Sequence, residues 1–573
     1  MNLVQRRADG SNGRIHTGDR HMISAGHAAA AQAGFLILEA GGNAVDAGVA
    51  AGLVLGVVQN DIVNVAGVAP IMFRSGETGE VVTIDGLGTW PAAASAAYFR
   101  DAHGGAIPPG LRRTVIPAAP ASWMEALTRY GTMSFGEVAA SAIRLASEGF
   151  PVHPTMADFV AKSAADYLQF PQNAALYLPG GKPVAIGSIF RQPELATTLA
   201  YMAAQERAAS GTREAGLKAA RDAFYRGDIA RTIAAYHAAN DGWLSYDDLA
   251  TYKVRLEQPV VTRWRGAEIY NCGPWCQGPV LAQVLAILGD EDLAALGHNS
   301  PAYIHLVTEA LKLAFADREA TYGDPRFIDV PLNRLLSQEY GASQRARIDL
   351  KRAIPGMPAP GIGDGPRQSV LAEGAVPPSP DTSYVAVVDR WGNAFSATPS
   401  DTSNDTPLVP GLGICPSSRG SQSFTIAGHP SEVAPGKRPR LTPNPALAVF
   451  DDETVMPFGS PGGDVQTQSM LQVLFNLRLF DMDLVSAIEA PRFATYSFPS
   501  SFEPHEMFPD RLMLEARIPA GTREELNALG HDAQAWPDFT FQCGGVCAVL
   551  HHEPTGLKIA AADPRRNAGI AGW

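Results

Sequence analysis

Between residues 354 and 380 glycine and proline recur so often that neither a helix nor a strand is expected to tolerate the segment. It gives way at Pro380-Asp381-Thr382-Ser383-Tyr384. The run Tyr384-Val385-Ala386-Val387-Val388-Asp389 then alternates and branches like a strand. A hydroxyl residue therefore stands where a loose, accessible linker turns into a sheet strand. That position suits a hidden N-terminus. Thr382 would attack the carbonyl of Asp381, the peptide would shift to an ester, and water would release a new chain beginning at Thr382. A threonine at a free N-terminus carries its own base, because its α-amino group lies beside its hydroxyl. That amine has a reference pKa of about 7.7–8.0, so a modest downward shift makes it a usable base at neutral pH. The alternative is a plain strand start with a polar first residue.

Composition removes several function classes. The net charge is −13 and no basic stripe is present to meet phosphates, so nucleic acid is not expected as a partner. No run of 18 apolar residues occurs, so no membrane span is expected. No glycine-rich corner is followed by Lys-Ser or Lys-Thr, which argues against a nucleotide cofactor, and no other cofactor is indicated. The polar start, residues 1–22, lacks the apolar middle of a secretory signal. That predicts a cytoplasmic protein, or a periplasmic one if a leader has been removed. Four of the five cysteines form two pairs with a three-residue gap, Cys272/Cys276 and Cys543/Cys547. Four thiolates could hold zinc. The preferred reading is small buried residues in a reducing compartment, with no metal.

Along the chain, 28–39 reads as a helix stopped by Gly41-Gly42, and Asn43 restarts a second, almost wholly apolar helix to about residue 58. A helix apolar all round is a buried one. Residues 71–73 and 81–85 read as strands, and 121–253 as a helical, alanine-rich region of packing with no chemistry. Ser300-Pro301 caps a helix that runs through His305 to Arg318. After Thr382 the pattern is a hairpin, 384–389 and 394–398, then strands at 447–450 and 455–458. Gly459-Ser460-Pro461-Gly462-Gly463-Asp464 leads into a helix over 465–479.

Several of these stretches resemble the γ-glutamyltransferase family of N-terminal nucleophile (Ntn) hydrolases. They are Leu38-Glu39-Ala40-Gly41-Gly42-Asn43-Ala44-Val45-Asp46-Ala47, the helix and turn over 305–325, Asp381-Thr382-Ser383-Tyr384, the Gly459 to Gly463 loop, and the tail Ala562-Asp563-Pro564-Arg565-Arg566. The resemblance implies an α+β, four-layer αββα sandwich. It implies a proenzyme cut before Thr382 into a large chain 1–381, with 354–381 as the pre-cleavage linker, and a small chain 382–573 that stays with it. A homodimer of that pair is compatible with the family. Thr382 is then the nucleophile and its freed amine the base. The second hydroxyl that holds the nucleophile falls on Ser400. The Gly462 and Gly463 N–H groups match the oxyanion hole. A Gly-Gly turn before a helix independently suits that role, since it exposes unpaired N–H groups where the helix favours negative charge.

The glutamyl pocket departs from the family. Ala96 stands where an arginine should grip the substrate carboxylate, Thr402 where an amide side chain is expected, Leu441-Thr442 where two serines are expected, and Gln422 where an acid should hold the amino group. A site without those partners should not select an amino-acid headgroup. The stretch from Arg419 to Pro439 instead resembles the subgroup related to oxamate amidohydrolase. The expected function is hydrolysis of a small, carboxylate-bearing amide, with Arg419 as anchor because its planar fork suits a carboxylate. Two alternatives remain: a γ-glutamyl transpeptidase or glutathione hydrolase with a rebuilt pocket, and an uncut scaffold without activity.

Overall fold

The computed structural model describes residues 16–363, 370–375 and 382–573. Asp381 and the linker stretches 364–369 and 376–380 lie outside them. Strand Val385–Val388 shows how the layers arise. Successive side chains of a strand point to opposite faces. Val385 and Val387 enter an apolar core with the helices Ala28–Glu39 and Ala44–Val58, while Tyr384, Ala386 and Val388 face a second sheet. Both faces are buried, so the strand is apolar on both.

The first sheet has seven strands in the order Gly569–Gly572, Met22–Ala25, Val385–Val388, Ala394–Ala397, Ile71–Arg74, Val81–Ile84, Leu256–Glu257, all antiparallel. The second also has seven antiparallel strands, with Thr454–Gly459 and Ala446–Phe450 near its centre. Leu447, Val455 and Val549 point from it toward the first sheet, and Ala448, Met456 and Phe458 point away, onto the helices Gly278–Leu288, Pro301–Thr321 and Gln466–Arg478. The order is helices, sheet, sheet, helices: the four-layer αββα sandwich of the Ntn hydrolases.

The helix Ala44–Val58 is buried at all fifteen positions. Asn43 starts it with a capping box, its side chain accepting from Val45 and Asp46 N–H while Asp46 accepts from the Asn43 N–H. Its glycines let the layers touch. A Cβ on Gly48 would lie 2.2 Å from the Phe395 ring, on the strand that pairs with Val385–Val388.

The expected hairpin, the paired strands after 445 and the capped helix from Ser300 are all present. The linker departs from expectation at one point. Val370–Leu371 forms a two-residue parallel pair with Glu506–Met507, because these two apolar residues interrupt the run of glycine and proline. All five cysteines are buried free thiols, and Cys272, Cys276 and Cys547 pack between the sheets. Burial pushes the Cys547 thiol up to about 12. No helix of the described residues is long and apolar enough to cross a membrane.

Candidate active site

Thr382 sits at the mouth of the strand Val385–Val388 and is 1 % exposed. Its N–H donates to the Ile62 carbonyl at 3.2 Å, and the next residue, Ser383, donates to Pro399 O at 3.0 Å. These bonds hold the junction between the turn after the buried helix and the end of the hairpin. The φ of Thr382 is +80°, a conformation that costs a β-branched residue about 1–3 kcal/mol.

The hairpin returns Ser400 to the same place. Thr382 Oγ1 and Ser400 Oγ are hydrogen-bonded at 2.6 Å, and Ser400 is fully buried. Arg419 donates from Nη2 to Ser400 Oγ. The same guanidinium lies 3.7 Å from Asp401. Asp401 in turn accepts from Ser418 N–H at 3.0 Å and from the Ser417 and Ser418 hydroxyls. Burial raises the Asp401 carboxyl and the Arg419 charge opposes that rise. The result is a buried chain of contacts, Asp401 to Arg419 to Ser400 to Thr382.

Gly462 and Gly463 adopt φ of +115° and +56°, which a side chain would resist. They precede one tight turn and the helix Gln466–Arg478. Neither glycine N–H donates to an acceptor among the described residues. The loop is held by residues that precede Thr382 in the chain. Gln277 Nε2 donates to Gly463 O at 2.8 Å, and Arg318 pairs with Asp464 at 2.5 Å and with Glu319 at 2.7 Å. Arg318 therefore fixes the loop by its charge, from inside a helix that is buried on nearly every face.

Thr402, Ser418, Arg419 and Gly462 line a cavity of about 360 Å³, with Phe159, Phe502 and Phe541 among its other walls. That volume suits a small ligand. Thr382 and Ser400 are buried and do not line it; Arg419, which does, donates to Ser400. The Thr402 hydroxyl has no partner among the described residues. Gln422 Nε2 donates to Thr442 Oγ1 at 2.9 Å, the Gln422 side-chain oxygen has no partner among the described residues, and neither residue lines the cavity. Ala96 begins the helix Ala96–His103 capped by Ser95.

Sequence reasoning passed over three groups. Asp401 follows Ser400 directly, but nothing in the run Pro399-Ser400-Asp401-Thr402 signals that its carboxyl is buried. Arg318 and Asp464 both stand in stretches singled out for other reasons. Asp61 is buried, both its carboxyl oxygens lack a partner among the described residues, and burial pushes its pKa up to about 7. One group of described residues assembles metal-ligand types, His305, Glu309 and His531. Its donors are taken by protein: the histidines bond each other at 2.8 Å, His305 also bonds Asp349 O, and Glu309 pairs with Lys312 at 3.0 Å. A cation there would meet the Lys312 ammonium.

Residues 30–573 match the family model described as Gamma-glutamyltranspeptidase. The acylase ACY 1 proenzyme of Pseudomonas sp. (strain SE83) is 32% identical over 562 residues, covering 95% of this chain and 92% of that one. The oxamate amidohydrolase proenzyme of Klebsiella pneumoniae subsp. pneumoniae is 31% identical, covering 96% and 98%. The glutathione hydrolase proenzyme of Bacillus subtilis (strain 168) is 28% identical, covering 98% and 92%. Among solved structures, LmbA2991HD superposes with a TM-score of 0.91 at 34% identity over 98% of this chain and 100% of that one. The cephalosporin acylase from Bacillus halodurans superposes at 0.86 and 26% identity, over 100% and 99%. The chain is an enzyme and belongs to the gamma-glutamyltranspeptidase family of Ntn hydrolases.

Proposed function

We propose that the protein is a self-processing amidohydrolase with Thr382 as its N-terminal nucleophile. The 2.6 Å bond between Thr382 Oγ1 and Ser400 Oγ, at the junction of linker and strand, carries this reading. Processing breaks the peptide bond between Asp381 and Thr382 and gives chains 1–381 and 382–573. The positive φ of Thr382 favours that cut, because a residue with no preceding carbonyl no longer has a φ to strain.

In the processed enzyme the freed α-amine takes the proton of Oγ1, and Oγ1 attacks the amide carbonyl. Ser400 donates to Oγ1 and keeps it aimed. Arg419 acts through Ser400, holding that hydroxyl in place. The Gly462 and Gly463 N–H groups receive the oxyanion, where loss of one such donor typically costs about 3–4 kcal/mol of barrier. The ammonium then protonates the departing amine, and water brought in by the same amine releases the acyl group from the threonine ester.

The substrate is a small amide other than a γ-glutamyl compound. Ala96 offers a headgroup no charge, and the Gln422 amide nitrogen is committed to Thr442 Oγ1. A carboxylate on the substrate would have to share Arg419 with Asp401. The test is a comparison of γ-glutamyl anilides with other small amides, using wild type and Thr382→Ala. Turnover of non-glutamyl amides by wild type alone is expected. Efficient turnover of the γ-glutamyl anilides would overturn the substrate assignment, and turnover by Thr382→Ala would overturn the nucleophile.

A further inference from the structure

The walls of the cavity are aromatic to an extent that hydrolysis of a small polar amide does not require. Phe159, Tyr496, Phe498, Phe502, Phe508 and Phe541 all line it. Three of these are deeply buried: Phe159 at 7 %, Phe498 at 2 % and Phe508 at 5 % exposure. Phe498 is fixed by a stacked contact with Phe315 at 3.7 Å, and Phe502 lies under the Arg419 guanidinium at 5.5 Å. Phe159 comes from the helix Pro154–Lys162, ahead of the proposed cut, and the other five from the segment after it.

The charges of the lining point the same way. Among the described residues its lysine is Lys162, in an exposed pair with Asp158 at 2.8 Å, and its arginine is Arg419, held by Asp401 and Ser400. The lining also carries Asp405, Asp464, Glu503 and Glu506. Asp405 pairs with Arg113 at 3.2 Å and Asp464 with Arg318. Burial raises the Glu503 carboxyl, which marks that end of the cavity as a poor place for further negative charge. An acyl group ending in a second carboxylate would meet acids and spoken-for cations there, and burying an unmatched charge is expensive. A flat apolar group would meet rings, which attract one another edge-to-face or offset.

Resting on the reading of Thr382 as nucleophile, we propose that the enzyme takes amides whose acyl group ends in an aromatic ring and carries no second carboxylate. The acyl group is the part that stays attached while the amine departs, so it occupies the enclosed space beside Gly462. Phe159 and Phe541 set this preference from the two sides of the proposed cut.

The test is calorimetric binding of three product-like acids to the processed wild-type enzyme: 4-phenylbutyrate, hexanoate and glutarate. The aryl acid is expected to bind at least tenfold more tightly than either of the others. Phe159→Ala and Phe541→Leu are each expected to weaken it by about tenfold while leaving hexanoate within about threefold. Melting temperature and self-cleavage check that each variant is folded, and Phe541, half-buried at the cavity wall, is the variant that keeps the test valid if Phe159→Ala fails to fold. Glutarate or hexanoate binding as tightly as the aryl acid, aryl binding unchanged in the folded variants, or no aryl binding at millimolar concentration would each overturn the proposal. Binding does not require turnover. Aryl preference in a protein that never self-cleaves would sink the nucleophile reading, and with it the turnover of aryl amides, while the aryl selectivity of the cavity itself would stand.

Discussion

At the scale of single residues, the proposed mechanism separates groups that react from groups that aim around Thr382. Ser400 touches Thr382 Oγ1 and takes a hydrogen bond from Arg419. Ser400→Ala removes a bond whose partner carries charge in the transition state, worth about 1.5–3 kcal/mol, so kcat should fall roughly 10–100-fold with KM little changed. Ser400→Thr keeps the hydroxyl and should recover most of that loss in the same steady-state assay. Gly462→Ala places a Cβ on a residue at φ +115°. It should lower kcat by about 100-fold through a displaced oxyanion donor, without preventing cleavage of the chain. Asp61 gives a pH prediction. Burial raises its pKa from 3.8 to about 7, against the opposing pull of nearby N–H groups and the Arg566 charge. The folded state therefore holds a proton that the unfolded state has lost between about pH 4 and 7. The unfolded state binds fewer protons there, so stability falls as pH rises through that window, by on the order of a few kcal/mol. In an uncut Thr382→Ala background, Asp61→Asn should flatten this slope, matching its parent near pH 4 and melting several degrees higher at pH 8. Equal melting curves at pH 8 would contradict the assignment. Ser400 was reached only through the family resemblance, whereas Thr382 was legible as a hydroxyl residue at a linker-to-strand junction and the glycine pair as a turn before a helix, because both signals are local. Asp61 and Asp401 were not, since neither residue type nor spacing says that a carboxyl will be enclosed.

At the scale of elements, the helix Pro301–Thr321 links the core to the site. Arg318, Glu319 and the following Asp324 each grip a part of the chain beyond Thr382: Asp464, Arg440 and Arg438 respectively. Arg318→Met leaves Asp464 buried without its partner, which should destabilise the protein by about 3–5 kcal/mol and loosen the Gly462-Gly463 loop. A lowered melting temperature together with a reduced kcat is the expected result; a change in stability alone would detach this helix from the chemistry. The helix itself was readable from its Ser-Pro start, and its apolar periodicity was obscured because it is buried on all sides. The hairpin was readable because two short runs rich in apolar residues, each buried on both faces, flank the turn residues Trp391-Gly392-Asn393. The short strand Val370–Leu371 was not, because two residues carry no period and their pairing with Glu506–Met507 is long-range.

At the scale of the whole molecule, the two segments divided at Thr382 are woven through both sheets. In the first sheet Val385–Val388 and Ala394–Ala397 lie between Met22–Ala25 and Ile71–Arg74, so neither segment can leave without opening antiparallel ladders on both sides. After processing, 1–381 and 382–573 should elute together in native buffer and separate only in denaturant, as size-exclusion chromatography can check. Layer order and sheet pairing of this kind are set by contacts distant in sequence, and only the family resemblance anticipated them; local patterns supplied the elements. The central claim is that Thr382 becomes an N-terminus, and it is tested most directly by the intact mass of the purified protein beside Thr382→Ala. The account predicts two species, 1–381 and 382–573, in wild type and a single uncut chain in the variant. An uncut wild type, or a variant cut at the same bond, would contradict it.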